Sequence, residues 1–169
     1  MKNIFLTGEK GIGKSTIINR VIQDLNLSFG GYITERQVVG NIKSFSIKSL
    51  KSGNLYPIAS VDLDTLEKNI NTDNFKYHIP DFLKKDIVNS DVIILDELGF
   101  MEKDIESFTE TIYKILDSDK LVLGVIKDFD CEFLNQIRKR EDCTIIRLNI
   151  NNRDSIYGRV LKLIRAEIL

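Results

Sequence analysis

The feature that most limits how this chain can fold is a glycine-rich segment near its start. Residues 8–15 have the sequence GEKGIGKS and follow the short apolar run 4–6, which predicts a buried strand. Apolar residues then recur at helical spacing from Ile17 to Leu25. A strand, a glycine loop and a helix in this order predict a phosphate-binding site, because the loop amides and the positive end of the helix point at one place. A simple glycine turn is the alternative interpretation.

Individual residues of this loop suit a nucleoside triphosphate with a metal ion. Gly11 and Gly13 can adopt backbone angles that are closed to residues with a β-carbon, which lets successive N–H groups turn inward. Lys14 can reach the β- and γ-phosphates, so we expect it to be catalytic, and the Ser15 hydroxyl can bind Mg²⁺. The residues of this part of the chain that we expect to bind the nucleotide are Gly8, Glu9, Lys10, Gly11, Ile12, Gly13, Lys14, Ser15 and Thr16.

A second group of candidate residues follows an apolar run in the middle of the chain. Residues 92–95 are all apolar, and Asp96 and Glu97 come directly after them. A buried strand would carry Asp96 to the carboxyl edge of the sheet, beside the phosphate loop, where we expect it to hold Mg²⁺ directly or through water. Glu97 is placed to orient or deprotonate an attacking water, which makes it the second catalytic candidate and favours hydrolysis. Two acids that merely end a strand in solvent are the alternative.

The rest of the apolar pattern predicts an α/β fold. Apolar runs at 92–95, 121–126 and 144–148 alternate with amphipathic helices, which is typical of a mostly parallel sheet flanked by helices on both faces. From residue 31 to about residue 60 the pattern instead indicates inserted antiparallel strands. The polar stretch 60–75 predicts a loop. With 169 residues and no visible linker, we expect a single domain over residues 1–169.

Charge and composition limit the classes of partner. The chain has 24 Lys and Arg residues against 25 Asp and Glu, a net charge of −1, which argues against a general binder of nucleic acid or anionic membranes. No apolar run approaches the roughly 18 residues of a membrane span, so we expect a cytoplasmic protein. The two cysteines, Cys131 and Cys143, are expected to be structural, and His78 is expected to be exposed or hydrogen-bonded rather than catalytic. These residues do not have the spacing of a zinc site.

Three stretches of the chain resemble the cancer-related nucleoside-triphosphatase family. They are residues 8–15, residues 31–36 and residues 96–102, which have the diagnostic sequence DELGFME. The similarity covers nearly the whole chain, including residues 152–154, and it implies a RecA-like phosphate-loop core. It also implies slow, Mg²⁺-dependent hydrolysis of ATP, GTP and related nucleotides. The further residues that it places at the nucleotide site are Leu95, Asp96, Glu97, Leu98, Gly99, Phe100, Met101 and Glu102.

The chain departs from this family at two places. Phe100 stands where the family commonly has Lys, and the segment after Arg36, residues 37–41, is poorer in Arg and Gly than is usual there in the family. If that Lys stabilises charge, its absence is expected to slow turnover or to alter the choice of nucleotide.

An arginine beside the phosphates would accelerate hydrolysis by about 10³–10⁵ through charge neutralisation in the transition state. Arg36 is our first candidate for this role, and Arg153, after the last predicted strand, is a candidate contact to the base. Arg138 and Arg140 fit either a lid over the phosphates or a solvated helix face. Without such an arginine, hydrolysis should be slow unless a partner supplies one.

Several alternatives stay open from the residues alone. A small-molecule kinase acting on a nucleoside or nucleotide, or a non-enzymatic switch, would use the same phosphate loop. Glu102 is expected either to assist Glu97 or to interact with the positive end of the following helix. Phe75 and Tyr77 could stack on a base, although packing is the default interpretation.

Overall fold

The computed structural model describes residues 3–168, and the strands in that range form one eight-stranded sheet. The strands are β1 Asn3–Gly8, β2 Phe29–Val39, β3 Ile42–Ser49, β4 Leu55–Asp62, β5 Lys68–Ile70, β6 Val92–Leu98, β7 Leu121–Ile126 and β8 Cys143–Leu148. The helices are α1 Lys14–Asp24, α2 Ile79–Asn89, α3 Glu106–Asp117, α4 Glu132–Arg138 and α5 Arg153–Ile168, and a π-helical turn, Asn74–His78, precedes α2.

The sheet has a parallel half and an antiparallel half that share strand β2. The order across the sheet is β5-β4-β3-β2-β6-β7-β1-β8. The first residues of β2 pair in parallel with β6, with Tyr32 opposite Leu95, and its later residues pair in antiparallel register with β3, with Tyr32 opposite Ser49. The structure therefore confirms the expected mostly parallel α/β sheet with an antiparallel strand insertion.

Helices cover both faces of the parallel half, as the continuous apolar strands predict. In β6, Ile93 and Leu95 point to a core formed with α2, α3 and α4, whereas Val92 and Ile94 point to a second core formed with α1 and α5. This division follows from the two-residue period of a strand. The longest helix, α5, has 16 residues, and the helices within residues 3–168 include none with the length and apolarity to span a membrane.

The stretch 60–75 differs from the expected loop. Strand β4 continues to Asp62, β5 adds a three-residue edge strand, and the π-helical turn begins at Asn74. All three residues of β5 are exposed, so no apolar alternation could reveal it. Pairing with β4, where Ala59 lies opposite Ile70, forms this strand, and the antiparallel strands extend to Ile70 rather than to about residue 60.

Candidate active site

The glycine loop between β1 and α1 has the backbone geometry expected of a phosphate-binding loop. Gly8, Gly11 and Gly13 have φ angles of +137°, +81° and +109°. A β-carbon on Gly11 or Gly13 would meet no atom within 4 Å, so the backbone angle and not crowding requires glycine there. Gly13 precedes α1, whose first turn has no side-chain cap. The first N–H groups of the helix are thus available to an anion.

The Lys14 side chain lies over this loop. It is 9% exposed, and its Nζ donates hydrogen bonds of 2.7 Å to each of the carbonyl oxygens of Gly8 and Glu9. Burial lowers the pKa of the Lys14 ammonium, an effect that the nearby carboxylates of Glu97 and Asp96 oppose. These contacts hold the ammonium at the loop, next to the acidic pair at the end of β6.

Asp96 meets the phosphate loop at the carboxyl end of β6. It is 3% exposed, and its Oδ1 accepts a hydrogen bond of 3.2 Å from Ser15 Oγ, while Thr34 Oγ1 donates to its main-chain carbonyl. Burial raises the pKa of Asp96 to about 6, although the Ser15 hydrogen bond acts in the opposite direction. A hydroxyl and a carboxylate side by side are the oxygen donors that a small divalent cation prefers, so Ser15 and Asp96 fit the expected metal site.

Glu97 is next to Asp96, across a cis peptide bond, and has a cationic neighbour that directly follows β7. Lys127 Nζ lies 3.3 Å from Glu97 Oε1 and 4.8 Å from the centre of the Phe100 ring. The main-chain N–H of Lys127 donates to the carbonyl oxygen of Leu98 over 2.9 Å. Lys127 was not among the candidates from the sequence. Its position directly after the apolar run 121–126, whose carboxyl end reaches the same edge of the sheet, could have indicated it.

Glu102 organises the segment between β6 and α3. Its side chain is 2% exposed, and it accepts a hydrogen bond from the Gly99 main-chain N–H. Burial raises the pKa of Glu102 to about 7. Close to it, the hydroxyl of Tyr32 is buried without a hydrogen-bond partner in the described part of the chain. The Glu102 carboxylate therefore binds its own loop, a role that neither sequence expectation described.

The arginine candidates separate into different environments. Arg36 lines a cleft beside Glu97. Its positive charge acts to lower the pKa of both Lys14 and Asp96. Arg138 instead donates to the carbonyl oxygens of Lys127 and Phe129. These contacts favour a structural role over a phosphate lid.

The other two arginines lie elsewhere. Arg140 pairs with Asp117 and Asp142, each at 2.8 Å, which also favours a structural role. Arg153 begins α5, after β8, and is exposed next to Asp154.

Several other candidates are packing residues. The Leu95 and Leu98 side chains are fully buried in the core, so only their main chain faces the site, and Ile12 is also buried. Phe75 also packs in the core: its ring contacts Phe108 edge-on, with 5.4 Å between the ring centres. Phe75 lies in the π-helical turn rather than in a strand. His78 stacks on a tyrosine, in keeping with a structural role. Thr16 and Tyr77 are exposed, and the two cysteines, Cys131 and Cys143, are free thiols.

Comparisons with known proteins agree with this geometry. A family model described as NTPase matches residues 3–161. The nucleoside-triphosphatase THEP1 of Natranaerobius thermophilus is 31% identical over 173 residues, which cover 98% of both chains. The THEP1 of Thermotoga maritima is 31% identical, over 96% of this chain and 95% of the relative. The crystal structure of THEP1 from Aquifex aeolicus matches with a TM-score of 0.79 and 25% identity, over 96% of this chain and 98% of that chain.

Proposed function

Since the chain belongs to the NTPase family, we propose that it hydrolyses ATP, GTP and other nucleoside 5′-triphosphates to the diphosphate and phosphate, slowly and with Mg²⁺. The relatives named above are nucleoside-triphosphatases, which supports the hydrolytic activity in general. The observation that carries the proposal is the hydrogen bond between Ser15 and Asp96, because it joins the phosphate loop to the acidic end of β6.

Binding of the triphosphate is assigned to residues 8–16. The N–H groups of the loop and of the uncapped first turn of α1 donate to the phosphate oxygens, and Lys14 supplies a positive charge. These contacts recognise phosphate and not a base, which is consistent with several nucleotides as substrates. Arg153 at the start of α5 is the candidate contact to the base, and main-chain groups of residues 95–102 line the other side.

The oxygen atoms of Ser15 and Asp96 would hold the Mg²⁺ ion, directly or through water. When bound, the ion neutralises charge on the phosphate oxygens. Burial of Asp96 keeps its carboxylate pointed at Ser15 and away from bulk water, and the hydrogen bond from Thr34 to its main chain fixes the end of β6.

Glu97 is the residue that we assign to the attacking water. Its carboxylate accepts a proton from the water as the water oxygen bonds to the γ-phosphorus, and the bond from that phosphorus to the bridging oxygen of the diphosphate breaks. Lys127, 3.3 Å from Glu97, holds the carboxylate at the edge of the site. Most of the acceleration then comes from positioning and from fixed charges.

A matched pair of variants tests this assignment. Glu97→Gln should retain binding of ATP and GTP but lose phosphate release by about 10²–10⁴-fold, the usual contribution of a general base. Glu110→Gln, on the exposed surface of α3, is the control and should behave as wild type. Binding by calorimetry and phosphate release are measured over a panel of nucleotides with Mg²⁺. Unchanged phosphate release by Glu97→Gln would refute the role of Glu97.

A further inference from the structure

A cleft of about 400 Å³ lies beside the proposed catalytic residues. It is bounded by the antiparallel strands β3, β4 and β5 on one side and by residues 97–102 on the other, and Lys10 and Glu97 line its end at the phosphate loop. One water needs about 30 Å³, whereas pockets for organic ligands measure roughly 300–1,000 Å³. The cleft is therefore much larger than an attacking water requires.

The floor of the cleft is apolar. Ile47, Ile58 and Phe75 line it and are almost fully buried, and Phe45 and Met101 add partly exposed apolar surface. A flat ring that binds on this floor is stabilised, because apolar surface of both the ring and the floor is removed from water.

The rim of the cleft is cationic. Arg36, Lys43 and Lys68 line it, and within residues 3–168 none of them has a carboxylate at ion-pair distance. The Arg36 guanidinium and the Lys43 ammonium lie 6.0 Å and 5.5 Å from the centre of the Phe45 ring. Cations beside an aromatic floor suit a ligand that combines a ring with an anionic group.

The carboxylates of the cleft do not cancel this positive charge. Glu97 is already paired with Lys127, and Glu102 accepts the hydrogen bond from the Gly99 N–H. Lys43 and Lys68 stand on β3 and β5, at the opposite side of the cleft from the phosphate loop. Both ammonium groups thus face the same cleft as the apolar floor.

The position of the cleft leaves room for two ligands at once. The strand β1 that carries the phosphate loop is flanked on one side by β8, which leads to Arg153, and on the other by β7, β6 and β2. A base held near Arg153 lies on the β8 side, whereas the cleft opens on the β2 side, next to Glu97.

We propose that this cleft binds a second small molecule, a planar ring compound with a phosphate group such as a nucleoside monophosphate, beside the terminal phosphate of the bound triphosphate. The inference rests on the proposed function, because it assigns the triphosphate to the phosphate loop. Since Glu97 lines the cleft, a ligand there would fill the space beside this carboxylate that an attacking water needs. Phosphate release from the triphosphate therefore falls when the second ligand is bound.

The test is a calorimetric titration of AMP, GMP, CMP and UMP into the full chain, saturated with Mg²⁺ and a non-hydrolysable ATP analogue. At least one monophosphate should bind, and its nucleoside and inorganic phosphate alone should each bind at least about tenfold more weakly, because each meets only half of the cleft. The same monophosphate should lower the rate of phosphate release from ATP in a parallel assay, without raising the KM for ATP.

Charge reversal locates the binding site. Lys43→Glu combined with Lys68→Glu should weaken monophosphate binding at least about tenfold, and the milder pair Lys43→Gln with Lys68→Gln should also weaken it. Lys114→Glu, on α3, is the control for a change of surface charge. The inference is wrong if the analogue binds and no monophosphate does. It is also wrong if both double variants bind the monophosphate as tightly as wild type does. If the analogue itself fails to bind, the proposed function is wrong instead.

Discussion

Lys127 Nζ lies 3.3 Å from Glu97 Oε1, so the ends of two neighbouring parallel strands meet in an ion pair at the edge of the sheet. The main-chain N–H of Lys127 also donates to the carbonyl oxygen of Leu98, which ties the end of β7 to the end of β6. The ammonium is packed against the Phe100 ring. Lys127 thus places a cation beside Phe100, the position at which the family resemblance leads us to expect a lysine.

Replacing Lys127 by Met should lower kcat for ATP at least about tenfold, because the Glu97 carboxylate loses the group that orients it toward the water. The KM for ATP should change little, since the phosphate loop is intact. Lys120→Met, at the other end of β7, is the matched control. Steady-state kinetics together with the Tm of each variant separate an effect on positioning from an effect on folding, and an unchanged kcat would contradict the role of Lys127.

Stability should depend on pH through Glu102. Burial raises the pKa of this carboxyl from a usual value of 4.5 to about 7, so the folded protein binds the proton more tightly than the unfolded chain does. The contribution of Glu102 to the free energy of unfolding is then largest below pH 4.5 and falls, by roughly 3 kcal/mol, as the pH rises to about 7.

The variant Glu102→Gln removes this titration and keeps an oxygen for the Gly99 N–H. Urea unfolding of both proteins at about pH 5 and about pH 8 measures the difference. Relative to wild type, the variant should be more stable at the higher pH than at the lower one. Parallel pH dependence of the two proteins would show that burial does not shift the Glu102 titration.

Gly31 should tolerate no side chain. It has a φ angle of +87°, and an added β-carbon would lie 2.0 Å from the carbonyl oxygen of Ile94 in β6. Gly31→Ala should therefore cost more than about 3 kcal/mol of stability or prevent folding. In contrast, Gly158→Ala in α5 meets no atom within 4 Å and should stabilise by about 0.5–1 kcal/mol. Thermal unfolding of both variants checks the contrast, and equal Tm values would contradict it.

Two arginines should have separable effects on the kinetics. Arg36→Ala should lower kcat at least about tenfold if this guanidinium neutralises charge in the transition state. Arg153→Ala should instead raise KM, and by different factors for ATP, GTP, CTP and UTP, because its expected contact is with the base. A kcat of Arg36→Ala equal to that of wild type would exclude this role of Arg36.

The parts of the site that could be predicted from the sequence are those set by local order along the chain. Residues 8–15 lie between an apolar run and a helical pattern, and Asp96 follows an uninterrupted apolar run, so their places at the sheet edge follow from strand direction alone. In the structure, the hydrogen bond from the Ser15 hydroxyl to the Asp96 carboxylate joins the two segments.

The parts that could not be predicted depend on contacts between distant segments. Lys127 becomes a neighbour of Glu97 only because β7 pairs with β6. The edge strand β5 has three exposed residues and forms only by pairing with β4, so its own sequence has no period to detect. The sequence makes Glu102 a candidate, but the hydrogen bond that it accepts from the Gly99 N–H depends on how the loop folds around this carboxylate.

Helix α1 begins after Gly13 and has no side-chain cap at this end. Such a cap typically stabilises a helix by about 1 kcal/mol. The phosphate oxygens of a nucleotide would accept hydrogen bonds from those same N–H groups, so the substrate completes the end of this helix. The proposed binding would therefore raise the resistance of the folded chain to heat, by about 2.7 kcal/mol when the free nucleotide is at a hundred times its Kd. A cell that exhausts its triphosphates would also loosen the first helix of this fold.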